Sequence, residues 1–381
     1  MAKTTSPNSI HPRRRRKWPL VQLYFYLTEG CNLRCRHCWL APKHEEPGRL
    51  KHPALDFDLF RQIIAEARPL GLRGVKLTGG EPFLHPRILD MIRHLRAEEL
   101  RCTFETNGTL LTEELAAEIA RLPRTHVAVS LDGIDAETHE WVRGVKGSFD
   151  AAVRGVKLLV AAGLKPQLIL SVMRKTRPQM AEIVRWAEEL GAGSVKFNIV
   201  QPTERGMSLS DAGETLDIRE LVETGRWVER ELIPQAKIRV FYHHPAAFRP
   251  MGRMFDKTKG DGCGSCGIFG ILGVLGDGSF ALCGIGSSVP EFVFGQAGRD
   301  PLARVWRYNG MLRAIRAGLP GRLTGVCGRC AMKRICRGSC IAQNYYTSRY
   351  LWAPYWFCDQ AFQAGIFPES RLFPEKSDQL G

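Results

Sequence analysis

Three cysteines on one loop constrain this chain more than any other feature. Cys31, Cys35 and Cys38 stand in the run EGCNLRCRHCW, a C-x3-C-x2-C arrangement directly after the apolar stretch Val21–Leu27. Thiolates so spaced can hold an iron–sulfur cluster and leave one iron without a protein ligand. A tetrahedral zinc site or an electron-transfer cluster normally takes four protein ligands. Three ligands and an open position make a site for chemistry. The bland alternative is a zinc knuckle or a chance grouping of buried cysteines.

The remaining cysteines sharpen the choice. Of twelve in 381 residues, most fall in tight C-x2-C and C-x3-C groups, too few for a disulfide scaffold and spaced as metal ligands in a reducing compartment. The length allows one large barrel or two domains, and the cysteine map favours two. Arg13–Lys17 is basic, but the apolar run after it is short, leads into the cysteine loop and has no cleavage-type segment, so a secretory or twin-arginine export signal is rejected. No apolar stretch approaches the ~18 residues of a membrane span, and a soluble, cytoplasmic protein is expected. The formal charge of +15 falls to about +10 if three four-iron clusters form on cysteine thiolates. The basic arm reads as a solvated tail or a docking arm for an acidic peptide; no aromatic platform accompanies it to suggest nucleic acid.

After the arm, short strand-like runs alternate with helical segments. Strands are expected at Val21–Thr28, Gly74–Thr78, Arg101–Thr106, His126–Leu131, Pro166–Met173 and Ser194–Val200. Helices are expected near Leu55–Ala67, Pro86–Ala97, Glu113–Ala120, Phe149–Ala162, Pro178–Leu190 and Asp217–Leu232. Right-handed crossovers then give an α/β fold, a partial (β/α)6 parallel barrel followed by a small cysteine-rich domain. The divisions expected are 1–20 (basic arm), 21–235 (barrel) and 236–381. Strand alternation sends Tyr24, Tyr26, Thr28, Lys76, Thr78, Thr103, Glu105, Ser130, Asp132, Ser171, Lys196 and Asn198 inward. A polar interior of this kind is a ligand cavity rather than the apolar filling of a closed barrel. On Pro166–Met173 the two faces compete, Leu168, Leu170 and Val172 against Gln167, Ile169 and Ser171. Cys102, on the other parity beside Phe104, reads as core.

With Gly79-Gly80-Glu81-Pro82 about forty residues beyond it, the cysteine loop resembles the radical SAM superfamily. The resemblance implies that Cys31, Cys35 and Cys38 hold a [4Fe-4S] cluster whose open iron chelates S-adenosylmethionine. One-electron cleavage then yields a 5′-deoxyadenosyl radical that abstracts hydrogen from a substrate. It also implies that Gly79, Gly80, Glu81 and Pro82 bind the methionyl amine, and that Glu105 in ETNG, Ser130 and Asp132 in SLDG, and Arg143 bind cofactor or substrate. Asp132 is alternatively a cap for the next helix. His37 stands where many relatives carry an aromatic residue and meet the adenine mainly through backbone. The run Cys327-x2-Cys330-x5-Cys336-x3-Cys340, with Cys358 after it, resembles the SPASM extension, which implies two auxiliary four-iron clusters. Carried over, Cys263, Cys266, Cys283 and Cys340 bind one, and Cys327, Cys330, Cys336 and Cys358 the other; two zinc sites are the alternative. The tight Cys263–Cys266 spacing leaves open whether Cys263 is a ligand.

Enzymes of this architecture mostly modify ribosomally made peptides by crosslinking, epimerisation, oxidation or backbone excision. The resemblance therefore implies a peptide maturase, and the run YLTEGCNLRCRHCW is nearest to such maturases, the spliceases among them. A precursor peptide is the expected substrate. A separate leader-binding protein and a flavodoxin- or ferredoxin-type reductant are expected partners, because about twenty residues before the first strand leave no room for a fused leader-binding domain. The alternatives are an anaerobic sulfatase maturase, a small-molecule cofactor-biosynthesis enzyme, and a non-catalytic metal-binding protein. His243 and His244 in FYHHP read as packing ahead of an acid–base pair, and Asp277 in LGDGSF as a hairpin turn ahead of a catalytic carboxylate.

Overall fold

The computed structural model describes residues 18–46, 48–255 and 266–374. Residues 1–17 of the basic arm and Cys263 lie outside the described residues. The centre of the molecule is one sheet of ten strands: β1 (Gln22–Tyr26), β2 (Gly74–Thr78), β3 (Arg101–Thr106), β4 (Thr125–Ser130), β5 (Gln167–Val172), β6 (Ser194–Ile199), β7 (Arg239–Tyr242), β8 (Ile271–Val274), β9 (Ser279–Ala281) and β10 (Val293–Gln296). Its order is β10-β9-β8-β1-β2-β3-β4-β5-β6-β7. Strands β1 to β6 run consecutively and parallel, as the βα rhythm requires, and form the open barrel.

The sheet continues past residue 235. Strand β7 adds to β6 in parallel, and β8 pairs in parallel with the other edge, β1, before the chain turns into the antiparallel strands β9 and β10. Segments on either side of the expected 235/236 division thus share one hydrogen-bonded sheet.

Sequence sets the helices that cover the outer face. Helix α1 (Phe57–Ala67) opens with Asp56, whose carboxylate accepts from the Leu59 amide, and buries Phe60, Ile63, Ile64 and Ala67, the one-face spacing of an amphipathic helix. Phe60 meets Phe25 of β1 with ring centroids 4.6 Å apart. Leu23, Phe25, Val75, Leu77, Cys102, Phe104, Leu168, Leu170, Val195 and Phe197 are all fully buried on the helix side. Each large apolar side chain so enclosed stabilises the fold by about 2 kcal/mol. The competing faces of β5 resolve with Leu168, Leu170 and Val172 in this core. Cys102 lies there too, its thiol pushed up to about 12 by burial.

Helices α2 (Ile88–Ala97), α3 (Glu113–Ala120), α5 (Ser148–Ala161) and α6 (Met180–Glu189) fall where the pattern puts them. Within the barrel two helices were not expected, α4 (Ala136–Arg143) and α7 (Arg205–Asp211), and neither were the helices of the cysteine-rich part, such as Leu302–Tyr308, Gly310–Gly318, Ile341–Ser348 and Trp356–Gln363. Helix α8 (Ile218–Trp227) starts on a capping box of Asp217 and Glu220.

Candidate active site

The free ends of the parallel strands surround a cavity of about 330 Å3, lined by the cysteine loop at one end and by polar strand residues elsewhere. Lys76, Thr78, Glu105, Ser130, Ile169, Ser171, Lys196 and Asn198 all face it. These share the inward parity read from the strands, although Tyr24, Tyr26, Thr28, Thr103 and Asp132, also read inward, do not line this cavity; ligands of open α/β sheets collect at this end.

The cysteine loop is held by backbone. Gly80 N–H donates to Thr28 O and Glu81 N–H to Gly30 O, each at 3.0 Å, so the GGEP turn is laced to the segment leading into Cys31. A side chain is excluded at Gly80, where an added Cβ would sit 1.8 Å from Gly30 O. Gly79 has φ +129, a conformation that only glycine adopts without strain. Cys31 and Cys35 are buried and Cys38 half-buried. Donors reach the sulfurs: Leu33 N–H to Cys31 Sγ at 3.4 Å, Asn107 Nδ2 to Cys31 Sγ at 3.9 Å, and Arg143 Nη1 to Cys35 Sγ at 3.5 Å. Burial pushes the Cys31 thiol well above its ordinary value, so a thiolate there needs a bound cation in place of its proton. Three soft donors on one loop, with hydrogen bonds aimed at their charge and two bare glycines alongside, fit a cluster with an open iron.

Gly79, Gly80, Glu105, Ser130, Arg143 and His37 line the cavity. Glu81, Pro82 and Asp132 are buried but do not line it. The Glu81 carboxylate instead accepts from Thr106 Oγ1 at 2.7 Å, Asn107 N–H at 2.8 Å and Phe83 N–H at 3.2 Å. Burial raises it to about 7 despite those donors. Asp132 is not a helix cap; Asp135 caps α4. Asp132 meets Arg143 Nη2 at 2.6 Å and accepts from Ser171 N–H at 2.6 Å, with both ion-pair partners buried. Arg143 thus spans from Cys35 to Asp132, so Asp132 acts by holding the guanidinium in place. His37 shares a 2.9 Å hydrogen bond with Ser171, and burial lowers its imidazole to about 4. Neutral at ordinary pH, it keeps a buried Nδ1 with no hydrogen-bond partner in the protein.

Glu105 pairs with Lys76 at 2.7 Å, and Lys76 lies over the Tyr24 ring at 4.4 Å. Burial works to raise the Glu105 carboxyl, but Lys76 and Lys196 outweigh it and hold it below the usual range. His243 also faces the cavity, kept neutral by burial and by Lys196 and Arg249. His244 turns away, into a buried contact with Glu229 at 3.2 Å. Asp277 sits in the turn between β8 and β9, accepting from Ser279 N–H at 2.8 Å.

Sequence reading missed Asn107, Asn32, Thr109 and Arg205. Asn107 Nδ2 donates to Asn32 Oδ1 and Asn32 Nδ2 to Thr109 Oγ1, each at 2.8 Å, tying the cysteine loop to the turn after β3. The extension of ETNG to ETNGT was the available signal. Arg205 bonds the carbonyls of Cys35 and Pro42 from the unexpected helix α7, and no motif marked it.

The other cysteines form two neighbourhoods. Cys327, Cys330, Cys336 and Cys358 line one small apolar hollow with Pro245, Leu323 and Phe367. Cys266 and Cys283 are both raised, first by burial and next by the charge of Cys340. This second neighbourhood flanks the cavity: Tyr24 and Tyr26 both feel Cys283, and the Gly284 backbone hydrogen-bonds the Tyr26 hydroxyl. Among the described residues no three His, Cys, Asp or Glu side chains converge on one point as a single-ion site requires.

Residues 25–200 match the family model of the radical SAM superfamily, and this part of the chain is a radical SAM domain. The chain is 28% identical over 333 residues to the AdoMet-dependent heme synthase of Methanosarcina barkeri, covering 84% of this chain and 90% of that one. It is equally 28% identical over 361 residues to the mycofactocin maturase MftC of Mycobacterium tuberculosis, covering 93% and 86%. Among solved structures, Streptococcus suis SuiB bound to S-adenosylmethionine superposes with a TM-score of 0.68 at 18% identity, covering 89% of this chain and 76% of that one. SuiB bound to its precursor peptide SuiA superposes with a TM-score of 0.66 at 16% identity, covering 89% and 75%.

Proposed function

We propose that this radical SAM chain is a peptide maturase, taking a hydrogen atom from a residue of a ribosomally made precursor peptide. The observation that carries the reading is the shape of the approach to the cysteine loop. A second cleft of about 550 Å3 meets the cavity at Leu40, Pro42, Gly79 and Gly80 and runs outward past Gly276, Gly284, Gly286, Ser287 and Ser288. A small metabolite needs one concave pocket. A trough rich in glycine and serine, leading to a buried polar cavity, suits an extended chain that delivers one residue inward. The likeness to a maturase and to a protein that binds a precursor peptide supports the same reading.

Cys31, Cys35 and Cys38 would hold the [4Fe-4S] cluster, with S-adenosylmethionine at its open iron; together, when bound, they supply one-electron cleavage to a carbon radical that abstracts hydrogen. The chain's own residues do the rest. Gly79 and Gly80 bring bare backbone to the cofactor's amine, and Ser130 and Arg143 offer a hydroxyl and a guanidinium to its polar groups, Arg143 being aimed by Asp132. The strand side chains and Trp39 wall the site from bulk water, which protects a reactive intermediate. Cys266, Cys283 and Cys340, with Cys263 as the fourth ligand, would hold one auxiliary cluster, and Cys327, Cys330, Cys336 and Cys358 another. A leader-binding partner protein, a flavodoxin- or ferredoxin-type reductant and a cytoplasmic setting complete the reading. No helix among the described residues is long and apolar enough to cross a membrane.

The test is anaerobic assay of the reconstituted, reduced protein for 5′-deoxyadenosine, with and without the short peptide encoded beside its gene. Peptide-stimulated formation is the expected result. Formation that ignores the peptide and responds instead to a small-molecule substrate would move the assignment to the heme synthase type of relative.

A further inference from the structure

The cavity holds an unbalanced patch that the cysteine loop does not use. Lys76 is satisfied, paired with Glu105 and stacked on Tyr24. Lys196, on β6, lines the same cavity as that carboxylate, and its charged neighbours are Glu105, Lys76 and Arg249. Two lysines therefore share one carboxylate, and that carboxylate is already paired with Lys76 at 2.7 Å. The neighbouring His243 is neutral and contributes no negative charge. Burial is the first cause that lowers the Lys196 ammonium, and the two other cations add to it. Two residues along the same strand face, Asn198 presents a buried Oδ1 with no hydrogen-bond partner in the protein. An ammonium wanting an anion and, beside it, a carbonyl oxygen wanting a donor together complement a carboxylate next to an amide N–H. Leaving either group unmatched in a desolvated site is costly, which favours a ligand that satisfies both.

We propose that Lys196 and Asn198 form a substrate subsite that binds a carboxylate of the peptide and an adjoining backbone N–H, and so fix which residue faces the cysteine loop. The subsite rests on the peptide-maturase reading and adds a substrate class to it: peptides with an acidic side chain near the modified residue. Lys196 is a positioning residue here, because it touches the substrate's anchor and not the bond that changes.

The test uses the full chain with its clusters assembled and two isosteric probes, acetyl-Gly-Glu-Gly-amide and acetyl-Gly-Gln-Gly-amide, followed by ligand-observed NMR. The glutamyl probe binds about tenfold more tightly than the glutaminyl one. Lys196→Met removes the preference, Lys196→Arg keeps it, and neither changes S-adenosylmethionine binding. Equal binding of the two probes, or a preference that survives Lys196→Met, overturns the proposal. So does a parallel loss of S-adenosylmethionine affinity in Lys196→Met, which would place the lysine on the cofactor. The two readings fail separately. A precursor that is modified while the probes bind equally leaves the maturase standing without this subsite. A Lys196-dependent preference without any peptide modification leaves a carboxylate site in an enzyme of another substrate class.

Discussion

Replacing Asp132 by asparagine tests whether the buried ion pair with Arg143 positions the site. In the native protein Asp132 is fully buried and Arg143 nearly so, with 2.6 Å between Oδ2 and Nη2. Removing one charge of a buried pair leaves the other uncompensated and costs about 3–5 kcal/mol. The asparagine side chain keeps an acceptor for the Ser171 amide, so the lower figure of ~3 kcal/mol applies. At ~2 °C per kcal/mol for a chain of this size, the melting temperature should fall by ~6 °C. The pH dependence has a definite sign. Burial raises Asp132, but Arg143 and then His37 outweigh it, and the folded-state value lies below the ordinary one. The stabilisation is therefore fully present above the unfolded carboxylate value near 4 and is lost as pH falls through the lower folded one. Circular dichroism melts of the anaerobic protein should show a gap between native and Asp132→Asn that is constant at neutral pH and closes on acidification. A shift under ~1 °C, or a gap that ignores acid, would refute the argument that this pair is a structural strut.

Glu81→Gln gives one amide nitrogen to a pocket built of donors and should cost ~1–2 kcal/mol by chemical denaturation. Burial raises the Glu81 carboxyl to about 7, so the native fold loses stability as pH climbs from the ordinary value of 4.5 to about 7, and the variant's stability should be flatter across that range. Gly284→Ala would place a Cβ 2.4 Å from Tyr26 Cε1 and 2.6 Å from Leu40 Cδ2, an overpacking worth ~1–3 kcal/mol. Iron analysis should show loss from the Cys266–Cys283–Cys340 neighbourhood with the cysteine loop still loaded. Ser171→Ala removes the hydrogen-bond partner of His37 Nε2 and should cost ~1–2 kcal/mol, read as a lower denaturation midpoint.

The barrel was legible because its signals are local. Period-two alternation in Val75, Leu77, Cys102 and Phe104 against Lys76, Thr78, Thr103 and Glu105 fixes which face each strand buries, and the cavity follows from that parity. The polar strand β6 yielded Lys196 and Asn198 the same way. What stayed hidden depends on tertiary pairing. Strands β7 and β8 are four residues each, too short to stand out among glycines and prolines, and only the sheet edges they join make them strands. Helix α4 is eight residues with mixed polarity, and its role lies in carrying Arg143 to Cys35. Motif matching also assigned Glu81 and Asp132 to the cofactor, whereas burial puts them behind the cavity wall, where they hold Asn107 and Arg143. A side chain's parity is written in the sequence; whether it ends in the cavity or in a hydrogen-bonded support behind it is set by the neighbouring turns.

The central claim is that the Cys31–Cys35–Cys38 loop drives chemistry on a peptide. The most direct measurement is the mass, by high-resolution tandem spectrometry, of the short peptide encoded beside this gene after anaerobic coexpression with the full chain and any small neighbouring protein. The account predicts a localised mass change that disappears in Cys31→Ala and persists in Cys102→Ala, whose thiol lies in the core. A peptide of unchanged mass and unchanged deuterium content in heavy water, from protein whose iron content shows assembled clusters, would contradict it.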